Sequence, residues 1–214
     1  MTNYTTKYGL KMAVDQFGKP VAEDFYDTSE ELAIRHFEAA ALALKLEGRT
    51  NYSLMELGSN QAYYSTLFKG ILGNTNSTAL LVEPFDEYMV RGKKHFEINS
   101  FDGVWINECI GDDWVLREHM KFNKPSTTIE KLLDQHGISV LDVLHCDIDG
   151  SELYALSTSA AAFQQKRFKW VFISTHAQHL FDSCKQLMLA WGYTIVEDHP
   201  TMDVGYDGLL VFKS

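Results

Sequence analysis

From Ser53 onward the chain alternates short apolar runs with polar or amphipathic segments of helical length. This is the pattern of strands joined by crossover helices. The strand-like runs are "SLMEL", "ALLVE", "VWINECIG", "VLDVLHCD", "KWVFIS", "TIVED" and "GLLVFK". Between them the spacing predicts helices over "AYYSTLFKGIL", "DEYMVRGKKHF", "TTIEKLLDQHG", "SELYALSTSAAAFQQ" and "AQHLFDSCKQLMLAWG", with Thr127 and Glu130 in capping-box spacing. The last two runs are separated only by "HPTMDVGYD", too little for a crossover helix, so they pair antiparallel. The expected fold is an α/β three-layer sandwich around a mostly parallel seven-stranded sheet whose last strand is antiparallel.

Upstream, "TSEELAIRHFEAAALALKLEG" opens with Thr28 and Glu31 in capping-box spacing. It carries Ala33, Phe37, Ala40, Ala41 and Leu44 on one face and stops at Gly48, which predicts an amphipathic helix. Residues before Thr28 are polar, dotted with aromatics and aperiodic, and read as an arm or lid rather than core. The expected organisation is residues 1–50 as arm and helix, and residues 51–214 as the main domain.

Composition narrows the partners. A net charge of −10 gives no general positive field for nucleic acid phosphates. No run approaches the ~20 apolar residues of a membrane span, and the first residues do not read as a signal peptide. Cys109, Cys146 and Cys184 are far apart and form no CxxC pair, which fits a reducing cytoplasm. Neither a nucleic acid nor a membrane is expected as a partner.

Ligands of open parallel sheets sit outside the carboxyl ends of the strands. Polar groups gather at five such ends: Glu56, Gly58, Ser59 and Asn60; Glu83; Gly111, Asp112 and Asp113; Asp147 and Asp149; and Ser174, His176 and His179. Gly58 and Ser59 are small enough for backbone to approach a ligand. With neither GxGxxG nor a Walker lysine motif, a nucleoside without pyrophosphate fits better than a dinucleotide or triphosphate.

Taken in order, "LMELGSNQAYYSTLF", "LLVEPFDE", "INECIGDD" and "VLDVLHCDIDGSELYAL" resemble the FkbM-type class I methyltransferases, a Rossmann-like family. The resemblance covers roughly Asn51 to the carboxyl terminus and implies S-adenosylmethionine as cofactor. It implies Glu56, Gly58 and Asn60 in the cofactor loop, Glu83 on the ribose hydroxyls, and Ile110, Gly111 and Asp112 beside the adenine. Ala62 departs from the family, which usually has a second loop glycine there, and its methyl is expected to narrow the loop. The acceptor implied is a hydroxyl of a sugar, glycan or natural product. The rivals are methylation of another atom, such as nitrogen, and a cofactor-binding scaffold that has lost catalysis.

For the chemistry, His176 is the expected base, as a neutral imidazole taking the hydroxyl proton, with Asp147 orienting the cofactor or the imidazole. A metal-assisted alternative has Asp147, with Asp149 or His176, hold a divalent ion that acidifies the hydroxyl. The metal-free form is favoured, because Asp149 and Glu152 are explained by the helix terminus that follows them. His145 is expected to face away from the site, Cys146 to be a buried filler, and His179 and His199 to rank behind His176. Aromatics of the arm, Tyr4, Tyr8, Phe17, Phe25 and Tyr26, are candidates for stacking on an acceptor ring.

Overall fold

The computed structural model describes residues 3–5, 8–13, 28–73, 76–111, 124–200 and 207–214. Two short strands, β1 (Asn3–Thr5) and β2 (Lys11–Ala13), form a ribbon ahead of the helix α1 (Thr28–Leu46). The main sheet is built from β3 (Ser53–Leu57), β4 (Thr78–Val82), β5 (Val104–Ile106), β8 (Leu141–Cys146), β9 (Phe168–Thr175), β10 (Thr194–His199) and β11 (Gly208–Lys213). A separate parallel pair joins β6 (Cys109–Ile110) to β7 (Ser126–Thr127). Six more helices complete the described chain: α2 (Tyr63–Leu72), α3 (Asp86–Ile98), α4 (Ile129–Gln135), α5 (Glu152–Ser157), α6 (Ala160–Gln164) and α7 (Gln178–Ala190).

The strand order in the seven-stranded sheet is β10-β11-β9-β8-β3-β4-β5. The β3, β4, β5, β8 and β9 pairings are parallel, and β11 runs antiparallel between β9 and β10. The expected fold class therefore holds. Chain order reverses at β3 and β8, because β3 leads outward to β4 and β5 while β8 leads the other way to β9. A crevice opens at such a switch point.

Side-chain alternation divides the sheet's two faces. Met55, Leu57, Leu80, Val82, Leu144 and Cys146 pack with α4, α5, α6 and α7. Leu54, Val143, Phe172 and Val211 point the other way, against Phe37, Ala41 and Leu44 of α1 and Phe68 of α2. Ala79 and Leu81 meet Phe96 of α3 on that same side. The apolar stripe expected for α1 is buried along its length, and the helix ends before Gly48, whose φ of +69° is the left-handed stop. The side chains of Thr28 and Glu31 lie outside the described residues.

Four local expectations change. Leu10 and Met12 are buried, and Leu10 sits where a β-carbon on Gly70 of α2 would go, so this part of the arm belongs to the core. The run "VWINECIG" is two strands in different sheets. Between them the Asn107 amide donates to the carbonyls of Glu83 (3.0 Å) and Pro84 (3.3 Å), turning the chain out of the main sheet. The helix after β7 is capped by Thr128, whose hydroxyl accepts from the Lys131 N–H at 3.2 Å, while Thr127 is still in the strand. Finally, "SELYALSTSAAAFQQ" breaks in two where the Ser157 and Thr158 hydroxyls donate back to the carbonyls of Leu153 and Tyr154.

If α1 is integral to the core, Phe37→Ala should cost about 3–5 kcal/mol of stability. Leu46→Ala, on the same helix at 88% exposure, should stay within about 0.5 kcal/mol. Urea unfolding of the two variants checks this; equal midpoints would place α1 outside the cooperative unit.

Candidate active site

The loops that follow β3, β4 and β8 are pinned to one another by backbone. The Gly58 and Ser59 N–H groups both donate to the Val82 carbonyl at 3.0 Å, Glu83 N–H donates to Ile106, and Asp147 N–H donates to Leu57. Gly58 has φ +70°, and a β-carbon there would stand 1.8 Å from the Asp147 carbonyl oxygen. The space where a β-carbon on Gly58 would stand is thus filled by the β8 loop, while Gly58 itself still lines the cavity described next.

Above this junction lies a cavity of about 740 Å³, within the range that accommodates small-molecule cofactors. Glu56, Gly58, Ser59, Asn60, Glu83, Ile110, Asp147, Asp149 and His176 all line it, so residues from the ends of five strands, β3, β4, β6, β8 and β9, meet there. Gly111 closes the β6–β7 pair through its N–H to the Thr127 carbonyl. Asp112 and Asp113 lie outside the described residues, as do Phe17, Phe25, Tyr26 and the side chain of Tyr4. His179 and His199 do not line the cavity. The Ala62 methyl is buried with Ala79, Leu81 and Phe96 and does not face the cavity, so it does not narrow the site.

Glu83 is nearly fully buried, and its two oxygens accept from the N–H groups of Asn60 and Phe85, each at 2.8 Å. Burial raises its pKa, with those two bonds opposing. Each oxygen keeps a lone pair for a ligand. Glu56 accepts from both the N–H (3.0 Å) and the hydroxyl of Ser65, tying the first turn of α2 to the end of β3. Its pKa is pushed up to about 8, chiefly by burial.

His176 is the electrostatic centre. Its Nδ1 donates to Glu152 Oε1 at 2.7 Å, and its Nε2 faces Asp149 at 3.2 Å, Asp147 at 3.4 Å and Asp207 at 3.8 Å. Burial pulls its pKa down, but the Glu152 bond and the charges of Asp147, Glu152 and Asp207 outweigh it and raise the value to about 9. The neutral imidazole expected from the sequence is therefore an imidazolium at neutral pH. Among the described residues no group of three His, Cys, Asp or Glu side chains is arranged to hold a metal ion.

Two histidines were misread or missed. His145 lines the cavity instead of facing away: it lies beside Glu56 in register on the adjacent strand, on the face opposite Leu144 and Cys146. His95 of α3 also lines it; its Nδ1 bonds the Gln61 carbonyl at 2.7 Å and its buried Nε2 has no partner. Nothing in the residue pattern singles it out, because its approach to the cavity depends on how α3 packs against the loop after β3. Cys146 is the buried filler expected, with a thiol pKa raised well above its usual value by burial.

The fold is the Rossmann-like one of solved methyltransferases. It is similar to the N-terminal domain of human METTL16 at 14% identity and a TM-score of 0.60, with 96% of this chain and 76% of that chain covered. The same human domain in complex with SAH matches at 14% identity and 0.59, again over 96% and 76%. A methyltransferase from Pyrococcus furiosus matches at 12% identity and 0.50, over 98% and 91%. No curated protein matches the sequence. Residues 32–195 match the Methyltransferase FkbM domain family, and the chain belongs to that family.

Two measurements check the site's geometry. Gly58→Ala should lose roughly 2–5 kcal/mol, from the left-handed backbone plus the clash with Asp147, and denaturant unfolding reads it directly. For His176, the folded pKa of about 9 lies above the unfolded value near 6.5, so its pairing stabilises fully below pH 6.5 and fades as pH rises through 9. The stability gap between the wild type and His176→Gln should follow that course; a gap that grows above pH 9 would contradict it.

Proposed function

We propose that the protein is an S-adenosylmethionine-dependent O-methyltransferase whose acceptor is a hydroxyl of a sugar, glycan or natural product. The observation that carries the cofactor assignment is the charge of the cavity. Its described lining includes six acids, Glu56, Glu83, Glu108, Asp147, Asp149 and Asp207, one imidazolium, His176, and neither lysine nor arginine; burial leaves Glu56 largely protonated, so the negative charge comes from the other acids. Such a wall repels phosphates and favours a cationic ligand, as a sulfonium nucleoside is.

The residues present fit that group. Ser59 Oγ and Asn60 Oδ1 are buried at the cavity without hydrogen-bond partners, an arrangement costing about 1–3 kcal/mol each until a ligand or water satisfies them. Glu83 would accept from the ribose hydroxyls, Ser59 and Asn60 would hold polar atoms of the amino-acid portion, and Phe85 and Ile110 supply apolar walls. When bound, S-adenosylmethionine supplies a methyl group on an already activated sulfonium, so the protein's work is alignment and proton removal.

His176 takes the hydroxyl proton at Nε2, the nitrogen that faces Asp147 and the cavity, while Nδ1–H stays on Glu152. In the free protein the carboxylates keep that nitrogen protonated. Positive charge entering the same cavity favours the neutral form and brings the imidazole toward its working state. Asp147 and Asp149 hold the ring's orientation.

Calorimetry should show S-adenosylmethionine binding, with Glu83→Ala weakening it by about 1.5–3 kcal/mol; unchanged affinity would remove Glu83 from the nucleoside site. An NMR titration should place the His176 pKa near 9 in the free protein and lower it on adding S-adenosylmethionine, more than on adding the uncharged thioether S-adenosylhomocysteine. Equal shifts would argue that the ligand's charge does not reach His176.

A further inference from the structure

The cavity has a second end that the nucleoside reading leaves unused. It runs past Glu56 to the space between the sheet and the α1–α2 layer, where Met12, Ile34, Tyr63, Tyr64 and His145 line it. His145 and Glu56 are register partners on adjacent parallel strands, so they stand side by side on this wall. The His145 ring is stacked on Tyr64 at 3.9 Å between centroids and 28° between planes, with the edge-on ring of Phe37 at 6.2 Å.

His145 is 2% exposed, and neither of its ring nitrogens has a hydrogen-bond partner. Buried polar atoms are otherwise paired almost everywhere in folded proteins. Leaving both nitrogens empty costs about 1–3 kcal/mol apiece. Histidine in this position is expensive as a core residue, since phenylalanine would stack on Tyr64 without that cost.

We propose that this end is the acceptor subsite, and that His145 selects an uncharged, hydroxyl-bearing group on a compact apolar frame. The inference rests on the nucleoside occupying the Glu83 end. A neutral imidazole has one donor and one acceptor nitrogen pointing in different directions, and a hydroxyl, itself donor and acceptor, can satisfy whichever of the two it meets without needing a charge. Met12, Ile34 and the two tyrosines offer apolar surface for the rest of the acceptor. Burial holds the His145 pKa near 3, so the ring is neutral at working pH and offers no charge to a phosphate or carboxylate. Glu56, with its pKa near 8, is largely protonated at neutral pH and offers little to an ammonium group.

The test uses cyclohexanol, cyclohexylamine and cyclohexanecarboxylate as matched probes, titrated into the ¹⁵N-histidine-labelled full chain with and without S-adenosylhomocysteine. Cyclohexanol should move the His145 ring nitrogen signals, and the charged analogues should leave them in place. In His145→Phe the cyclohexanol affinity should fall about 10-fold, while S-adenosylhomocysteine affinity stays within a factor of two; His145→Gln serves as the second variant. An unmoved His145 signal, a response to the amine or carboxylate instead, or equal alcohol binding in both variants overturns the proposal. Absence of S-adenosylhomocysteine binding by the wild type would instead overturn the cofactor reading, since the alcohol titration is read independently of it.

Discussion

The close packing of Gly58 against the Asp147 carbonyl is the constraint on which the rest of the site depends. Only a residue without a side chain lets the β8 loop come that near to the β3 loop. From that contact follow the inward placement of Asp147, the turn that brings Ser59 and Asn60 over the cavity, and the anchoring of Asn60 N–H on Glu83. The sheet's reversal of strand order between β3 and β8 supplies the crevice, and the pinned loops give it fixed walls. Binding groups are thereby positioned by backbone before any ligand arrives, which reduces the ordering cost of binding.

Charge gives this frame its chemical direction. Carboxylates surround His176 so closely that it remains protonated well above neutral pH. That arrangement is self-consistent in the free protein, because a half-buried cation among acids offsets part of their mutual repulsion. It also makes the histidine responsive to what enters, since a bound cation competes for the same carboxylates. At the α1–α2 end the logic is different. There burial, without a counter-charge, holds His145 neutral and unpaired. One cavity lining therefore carries both a charged cluster around His176 and a neutral, unpaired His145.

Much of this was legible in the residues. The alternation of apolar runs and helices carried the strand count and the antiparallel end, because each strand's hydrophobicity is set by its own two faces. Glu56 and Glu83 stood out as cavity candidates because they close apolar runs, where a buried carboxylate has no packing role, and both line the cavity. The protonation of His176 could not be found, for it depends on Glu152 one helical turn after Asp149 and on Asp207 before a different strand. Gly58 is legible as a close-approach position, yet which backbone approaches depends on β3–β8 pairing between residues 89 apart in sequence, such as Glu56 and His145. Strand periodicity sets His145 on the face opposite Leu144 and Cys146, beside Glu56, whereas the core role of Leu10 and Met12 is hidden because their segment is too short to show a period.

The central claim is that an acidic, backbone-pinned cavity selects a cationic nucleoside. Parallel calorimetric titrations of the full chain with S-adenosylmethionine and with ATP, at low and at high salt, test it most directly. The account predicts that S-adenosylmethionine binds, that added salt weakens it, and that ATP gives no measurable heat. Binding of ATP as tight as that of S-adenosylmethionine, or no binding of S-adenosylmethionine at either salt concentration, would contradict it.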